Sequence, residues 1–317
     1  MKGGASYVVV VPLEARGARL DRFLAETLHR SRSELQRWIG AGRVSIAGQA
    51  APAAARVRAG ERILVEPMQP PTTQALPDER VRVEVMYVDD DVIVVDKPAG
   101  MVVHPARGHS GGTLVNGLLA LGLFRADALD DDSHPTDNRP GIVHRLDRGT
   151  SGVMVVARTA AARERLKEQF QAHSIERAYA AIVVGNASDR TFDTLHGRHP
   201  RDRLRFTTHV RSGRRAVTNV RVIERLLGAT YLECTLQTGR THQIRVHLAE
   251  AGTPVLGDPL YGKAPRDPLL KQVAERLGHQ ALHARVLGFV HPRTGGAMRF
   301  ETPLPDDVHE VLTELRG

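Results

Sequence analysis

Four prolines crowd into eleven residues of this chain, at positions 67, 70, 71 and 77. Because proline lacks a backbone N–H group and has a fixed φ, such a stretch is extended and packs weakly. The 317 residues are enough for one sizeable core and a small additional domain. We therefore predict a small domain over 1–66 (core about 18–66), a linker over 67–79 and a larger domain over 80–317.

The small domain is predicted to contain two helices and two strands. Apolar residues recur at i, i+3, i+4 and i+8 over 20–28, a spacing that gives a helix one buried face. A second apolar stripe covers 35–39, after Ser31 and Glu34, a pair typical of a capping box. Short strands are predicted at 43–46 and 62–65.

The larger domain mixes strand and helix patterns. Residues 81–85 alternate with period two, and 92–95 form a short apolar run typical of a buried strand. Thr159 is placed to start a helix, and a strand pattern resumes over 179–184. The acidic stretch 127–137 is interpreted as a solvated surface loop with no assigned function.

The composition limits the possible partners, metal sites and cellular location of the protein. A net charge of +8 and a pI near 10.1 favour a polyanionic partner, although arginine-rich chains often share a high pI. Cys234 is the only cysteine, which excludes an internal disulfide and a Cys-rich zinc cluster. No apolar run approaches the roughly 18 residues that span a bilayer, and the N-terminal apolar stretch is too short for a secretory signal. We therefore expect a cytoplasmic protein.

Asp147 is the candidate carboxylate for chemistry. It lies in the string GIVHRLDRGTSG over 141–152, directly before a polar turn and the apolar run 153–156. This order holds a carboxylate at the edge of a rigid sheet. An Asp before such a turn is also typical of a structural Asx-turn, so position alone leaves both interpretations open.

Three other kinds of site are not supported. The Gly-rich segment 108–113 lacks the spacing and lysine of a P-loop, so no nucleotide is expected. His242 and His247 would lie about 140° apart around a helix, which does not suit a shared metal. The deaminase zinc pattern is absent from the sequence. We expect neither a metal nor a cofactor.

The motif HRLDxxTSG around Asp147 resembles the signature of the RluA-type pseudouridine synthase family. The resemblance continues in the same order through KPAGMVVHP (97–105), RAY (177–179), TGRTHQIRVH (238–247) and GDPLYG (257–262). The segment 1–66 resembles an S4 RNA-binding domain. Together these blocks cover most of the chain.

The resemblance implies an α+β protein: a small S4 domain and a catalytic domain with a mainly antiparallel sheet and a central cleft. It implies isomerisation of uridine to pseudouridine in RNA, with large-subunit ribosomal RNA the favoured target. Asp147 would attack C1′ or remove the 2′ proton, and both routes stay open. Glycoside hydrolysis would need two matched carboxylates. The alternatives are a non-catalytic RNA chaperone or ribosome-assembly factor, and a transfer-RNA enzyme.

The resemblance also implies roles for the neighbours of Asp147. Tyr179 would stack beneath the target uracil, and Arg240 would pair with Asp147. Arg145 would contact RNA near the flipped nucleotide, and Leu146 would pack by the base. From the residues alone, Tyr179 is equally a core tyrosine and Arg240 a surface or phosphate-binding arginine.

RNA is the expected partner, without a membrane or a nucleotide cofactor. Eight arginines lie between 198 and 221 with one acidic residue among them, a pattern that favours a backbone-tracking RNA patch over a merely solvated surface. The residues predicted to contact RNA, besides Arg145 and Leu146, are Arg245, Arg32, Arg37, Arg43, Arg203, Arg205 and Arg214.

Overall fold

A computed structural model describes residues 6–28, 32–68, 75–105, 111–124 and 140–317, without the side chains of 32–34. The chain divides into two compact units, Met1–Thr72 and Thr73–Gly317. Several sequence predictions lie outside the described residues: the Ser31 capping box, the Arg32 side chain, the prolines at 70 and 71, the first half of the Gly-rich segment 108–113, and the acidic stretch 127–137.

The N-terminal unit packs two helices on a four-stranded sheet of order β1-β4-β2-β3. Its elements are β1 (Tyr7–Val10), α1 (Leu20–Thr27), α2 (Arg32–Gly40), β2 (Val44–Ile46), β3 (Gln49–Ala50) and β4 (Arg62–Val65). The apolar stripes of both helices are buried, with Leu20, Leu24 and Leu35 fully inaccessible. The predicted helices and strands of this unit are confirmed.

The C-terminal unit is built on a ten-stranded sheet of order β10-β9-β11-β12-β8-β13-β7-β6-β5, with β14 paired to β13. Its strands are β5 (Glu84–Val88), β6 (Val92–Lys97), β7 (Ser151–Ala157), β8 (Glu176–Val184), β9 (Arg190–Arg198), β10 (Phe206–Thr207), β11 (Arg214–Leu226), β12 (Ala229–Leu236), β13 (Leu282–Val290) and β14 (Ala297–Glu301). Its helices in the described ranges are α3 (Leu114–Ala120), α4 (Ala160–Gln171), α5 (Gln243–Glu250), α6 (Pro268–Leu277) and α7 (Asp306–Glu314).

The sheet is mainly antiparallel, as expected. Only β7 and β13 pair in parallel among the described strands. At this crossing Gly152 has a φ of +115°, and a Cβ added there would lie 2.2 Å from the carbonyl oxygen of Ala284. Glycine is therefore required for the close approach of the two strands. The turn that carries Asp147 leads directly into this fixed point.

The structure shifts one predicted boundary, the start of β5, and confirms another, the start of α4. The strand predicted over 81–85 is β5, which begins only at Glu84, because Val81 and Val83 pack against Gly117 of α3. Helix α4 begins as predicted, because the Thr159 side chain accepts a hydrogen bond from the Ala162 N–H group at 3.1 Å. No helix in the described part of the chain is long and apolar enough to cross a membrane.

Candidate active site

Asp147 lies at one wall of a cavity of about 290 Å³ in the C-terminal unit. Its backbone carbonyl accepts a hydrogen bond from the Thr150 N–H group at 3.0 Å, which closes the turn before β7. The carboxylate is 18% exposed, and its Oδ2 atom accepts a hydrogen bond from Nη1 of Arg245 at 2.8 Å. Among the described residues that line the cavity, Asp147 is the one carboxylate.

Arg245 is held from its other side by Asp258. Its Nε and Nη2 atoms donate to the two Asp258 oxygens at 2.7 and 2.8 Å, a bidentate pair. Burial alone would raise the pKa of Asp258, but the hydrogen bonds from Arg245 and from the backbone of Tyr261 and Leu260 hold it below its usual range. Burial opposes the charge of Arg245, yet Asp258 and Asp147 raise its pKa. The buried pair of Asp258 and Arg245 is therefore held in its charged form, and Arg245 also contacts Asp147.

In this structure Asp147 pairs with Arg245, one of the residues predicted to contact RNA, and not with Arg240, its predicted partner. Arg240 lines the cavity, but its Nε atom donates to the Arg215 carbonyl at 3.0 Å, and it makes no ion pair among the described residues. Arg245 is 5% exposed, and its guanidinium donates to two carboxylates.

The reason lies in where α5 begins. Thr241 precedes the apolar stripe of this helix, a position typical of an N-cap, but it is exposed, and the helix starts at Gln243 after His242, which has a φ of +59°. The Gln243 side chain does the anchoring: its Oε1 accepts from the Arg240 backbone N–H group at 2.9 Å, and its Nε2 donates to the Val217 carbonyl at 3.1 Å. The helix is thereby fixed to β11 with Arg245 on its buried face.

His242 faces the other oxygen of Asp147. Its Nε2 atom is 3.7 Å from Oδ1, and its Nδ1 atom is 2.8 Å from the Tyr261 hydroxyl, which also accepts a hydrogen bond from the Phe206 N–H group at 2.8 Å. Burial lowers the pKa of His242 despite the opposing charge of Asp147, which favours the neutral ring. With Tyr261 donating to Nδ1, the remaining ring hydrogen is on Nε2 and faces Oδ1.

Tyr179 belongs to β8 and lines the same cavity as Asp147. Burial raises the pKa of its phenol, and the charge of Asp147 acts in the same direction against that of Arg177. The phenol is therefore protonated at neutral pH. Leu146 is buried and Arg145 exposed, and both also line the cavity. The structure thus brings together five predicted residues around Asp147: Arg145, Leu146, Tyr179, Arg240 and Arg245.

The other predicted RNA contacts lie elsewhere. Arg203 and Arg214 are exposed, whereas Arg205 is half-buried with its guanidinium 5.2 Å from the centre of the Tyr261 ring. In the N-terminal unit, Arg43 is exposed and 3.3 Å from a Glu66 oxygen. Arg37 is half-buried, with two guanidinium nitrogens that have no hydrogen-bond partner in the described part of the chain.

Four supporting residues received no role from the sequence: Lys97, His242, Asp258 and Tyr261. Lys97 is fully buried, and its Nζ atom donates to the carbonyls of Pro98 and Met101 at 2.8 and 3.0 Å and approaches that of Arg148 at 3.4 Å. Burial lowers its pKa to about 8 against the pull of Asp147. All four residues lie in the blocks 97–105, 238–247 and 257–262 that resemble the family. The resemblance therefore pointed to these segments, but it gave no role to the four residues.

A possible metal-ligating cluster lies away from the cavity. Ligand atoms of Asp89, Asp91 and His291 all lie within 4.8 Å of one another. These atoms are already engaged, since Asp89 bonds His291 at 2.9 Å and Asp91 accepts from Arg293 at 2.6 Å. The cluster is well explained as a structural tie between the β5–β6 turn and the end of β13.

Comparisons with known proteins agree with this geometry. The chain matches the RNA pseudouridylate synthase family over residues 91–250 and the S4 domain over 18–63. It is 46% identical to ribosomal large subunit pseudouridine synthase D of Xanthomonas campestris pv. campestris, over 97% of this chain and 92% of that protein. It is 43% identical to the uncharacterized RNA pseudouridine synthase YlyB of Bacillus subtilis, over 96% of each.

A solved structure shows a similar fold. Human RNA pseudouridylate synthase domain containing 4 superimposes with a TM-score of 0.55 at 25% identity, over 74% of this chain and 93% of that one. The family matches thus identify an RNA-modifying isomerase with an S4 domain, and the mainly antiparallel sheet and the cavity carboxylate bonded by an arginine are consistent with that class. The chain belongs to the RNA pseudouridylate synthase family and is an RNA pseudouridine synthase.

Proposed function

We propose that this enzyme converts uridine to pseudouridine in large-subunit ribosomal RNA, with Asp147 as its catalytic carboxylate. The observation that carries the role of Asp147 is the asymmetry of its two oxygens: Oδ2 is held by Arg245, and Oδ1 has no partner closer than His242 at 3.7 Å among the described residues. The target is supported by similar proteins from several bacteria that are named for the large ribosomal subunit.

The reaction breaks the N1–C1′ bond, turns the uracil and forms a C5–C1′ bond. Oδ1 is the oxygen available to attack C1′ or to take the 2′ proton, and Arg245 orients the carboxylate for either step by its hydrogen bond to Oδ2. After C5 has bonded to C1′, the C5 hydrogen leaves as a proton and N1 gains one, so the product is an isomer of the substrate. A uridine in folded RNA must flip out to reach the cavity.

Tyr179, Leu146 and Arg145 are proposed to receive the flipped nucleotide. Tyr179 presents an aromatic ring for stacking and a protonated hydroxyl near the base. Leu146 supplies an apolar contact, and the exposed Arg145 a charge for the backbone.

Further contacts are proposed to place the RNA. The exposed Arg203 and Arg214, with Arg205 beside them, are suited to phosphates of the same RNA. The S4-type domain over 1–66 is proposed to bind RNA through Arg32, Arg37 and Arg43, with 67–79 as the linker to the catalytic domain over 80–317. A ribosomal target implies that the enzyme works in the cytoplasm, where ribosomes are made.

The test is release of tritium from C5-labelled uridine in unmodified bacterial large-subunit ribosomal RNA. We expect the wild-type chain to release tritium and Asp147→Asn to release none while still binding the RNA. Asp193→Asn, which removes an exposed carboxylate paired with Arg215, is the matched control and should behave as wild type.

Three outcomes contradict parts of the proposal. Tritium release from transfer RNA alone would replace the target. Unchanged release by Asp147→Asn would remove the catalytic assignment. Binding without release from any RNA by the wild-type chain would favour a chaperone or assembly factor.

A further inference from the structure

Arg177 is a buried cation in the cavity wall without a counter-ion in the described part of the chain. It lies on β8, two residues before Tyr179, and is 8% exposed. Its Nε atom has no hydrogen-bond partner, and its only hydrogen bond among described residues is a long one, 3.4 Å from Nη2 to the Gln237 carbonyl. A guanidinium removed from water without a carboxylate is costly.

The neighbours of Arg177 in the cavity wall do not neutralise its charge. Arg240 and His173 line the same cavity, and neither makes an ion pair in the described structure. Burial lowers the pKa of Arg177, and the charge of Arg240 lowers it further. The pKa of His173 is lowered by burial and then by both arginines. The cavity wall around Arg177 is therefore suited to bind an anion, and no described side chain supplies one.

Arg177 lines the cavity, where such an anion would bind. Gly239 packs directly against its Nη1 atom, because a Cβ added at Gly239 would lie 2.4 Å away, so a larger residue there would collide with the guanidinium. Phe170 covers the flat face of the group, with its ring centre 5.7 Å from Cζ. The edge of a guanidinium presents paired N–H donors in the geometry that phosphate oxygens accept.

We propose that Arg177, with Arg240 and His173, forms a phosphate subsite for the RNA backbone next to the flipped uridine. This inference rests on the proposed function, because it assigns an RNA phosphate to the same cavity. The subsite places one phosphate on the wall that carries Tyr179, so that the sugar is held while the base is released and turned. Arg177 is a binding residue in this scheme, and the bond-breaking steps remain with Asp147.

The experiment measures binding of unmodified large-subunit ribosomal RNA to the full-length chain at a series of potassium chloride concentrations. For Arg177→Gln we expect about tenfold weaker binding at the lowest salt. The slope of log affinity against log salt should fall by about 0.7–0.9, the value of one lost phosphate contact. Arg177→Lys should recover most of the slope. Arg276→Gln, which removes an exposed charge on α6, should leave affinity and slope unchanged.

Thermal unfolding without RNA separates binding from packing. Because Arg177 has no counter-ion among the described residues, Arg177→Met should keep or raise the melting temperature. A lower melting temperature with unchanged affinity would make Arg177 structural and overturn the subsite. An unchanged salt slope with reduced tritium release would instead assign Arg177 to the base or sugar. If the wild-type chain released no tritium, the proposed function would fail, and the subsite would still be decided by the salt slope.

Discussion

Two arginines line the same cavity and differ in what surrounds them. Arg245 is enclosed by Asp147 and Asp258, which accept three short hydrogen bonds from it. Arg177 is about as deeply buried but has no carboxylate partner in the described structure. We infer from this difference that charge compensation separates two roles of a cavity cation, which are to hold Asp147 and to bind the substrate. A compensated cation holds the catalyst in place, and an uncompensated cation is available to the substrate.

Removing Arg245 gives the largest effect expected from this comparison. Arg245→Met leaves the fully buried Asp258 without its partner, so we expect a loss of about 3 kcal/mol in the free energy of unfolding. Tritium release should fall about 100-fold or more, because Asp147 loses the hydrogen bond that orients it. Urea denaturation and single-turnover kinetics measure the two effects.

The exposed pair of Arg276 and Glu314 offers a matched control. Arg276→Met should cost less than about 1 kcal/mol and leave activity intact, because an exposed ion pair contributes little. If Arg245→Met and Arg276→Met lost equal amounts of stability and activity, the Asp258–Arg245–Asp147 chain would have no special role. The contrast between Arg245 and Arg177 would then be contradicted.

Substitution of Arg240 tests whether this residue acts with Arg177 or with Asp147. If it belongs with Arg177, Arg240→Gln should raise KM for RNA by about tenfold and leave kcat nearly unchanged. Steady-state kinetics over a range of RNA concentrations separate the two constants. A fall in kcat as large as that of Arg245→Met, with KM unchanged, would mean that Arg240 pairs with Asp147 in the working complex, as its sequence position first suggested.

A pH dependence of stability tests the same cavity wall. Burial, and then the charge of Arg177, lower the pKa of His144 to about 3 from 6.5. Its Nε2 atom accepts a hydrogen bond from the Val155 N–H group, which requires an unprotonated nitrogen. Between these pH values the unfolded chain binds the extra proton, so stability is complete above pH 6.5 and falls as the pH drops.

We expect this group to remove about 2 kcal/mol from the free energy of unfolding between pH 6.5 and about pH 4.5. Urea denaturation at both pH values should show a smaller fall for His144→Gln, and an intermediate one for Arg177→Gln, in which a nearby positive charge is gone. Identical falls in wild type and His144→Gln would disprove the link between the Arg177 wall and acid stability.

Local patterns predicted much of the fold and part of the site. Periodicity located α1, β6 and α4, because each buries one face or a continuous apolar run. Asp147 and Tyr179 were placed by family resemblance, and the structure puts both on one cavity. The roles of individual site residues remain predictions that the experiments above address.

The arginine partner of Asp147 was not predictable from local sequence. A Thr before an apolar stripe is typical of an N-cap, so Thr241 seemed to place Arg240 at a helix entrance. The start of α5 is fixed instead by Gln243, whose side chain bonds β11, a strand more than twenty residues earlier. Contacts over such separations are invisible to a pattern of neighbouring residues.

The ion pair of Asp147 and Arg245 joins residues 98 positions apart. A ribosome adds roughly 5–20 residues per second, so Asp147 waits roughly 5–20 seconds during synthesis before its partner is made. Asp258 follows thirteen positions after Arg245, and the parallel strand β13 comes later still. The carboxylate therefore cannot acquire its arginine partner until residue 245 has been synthesised.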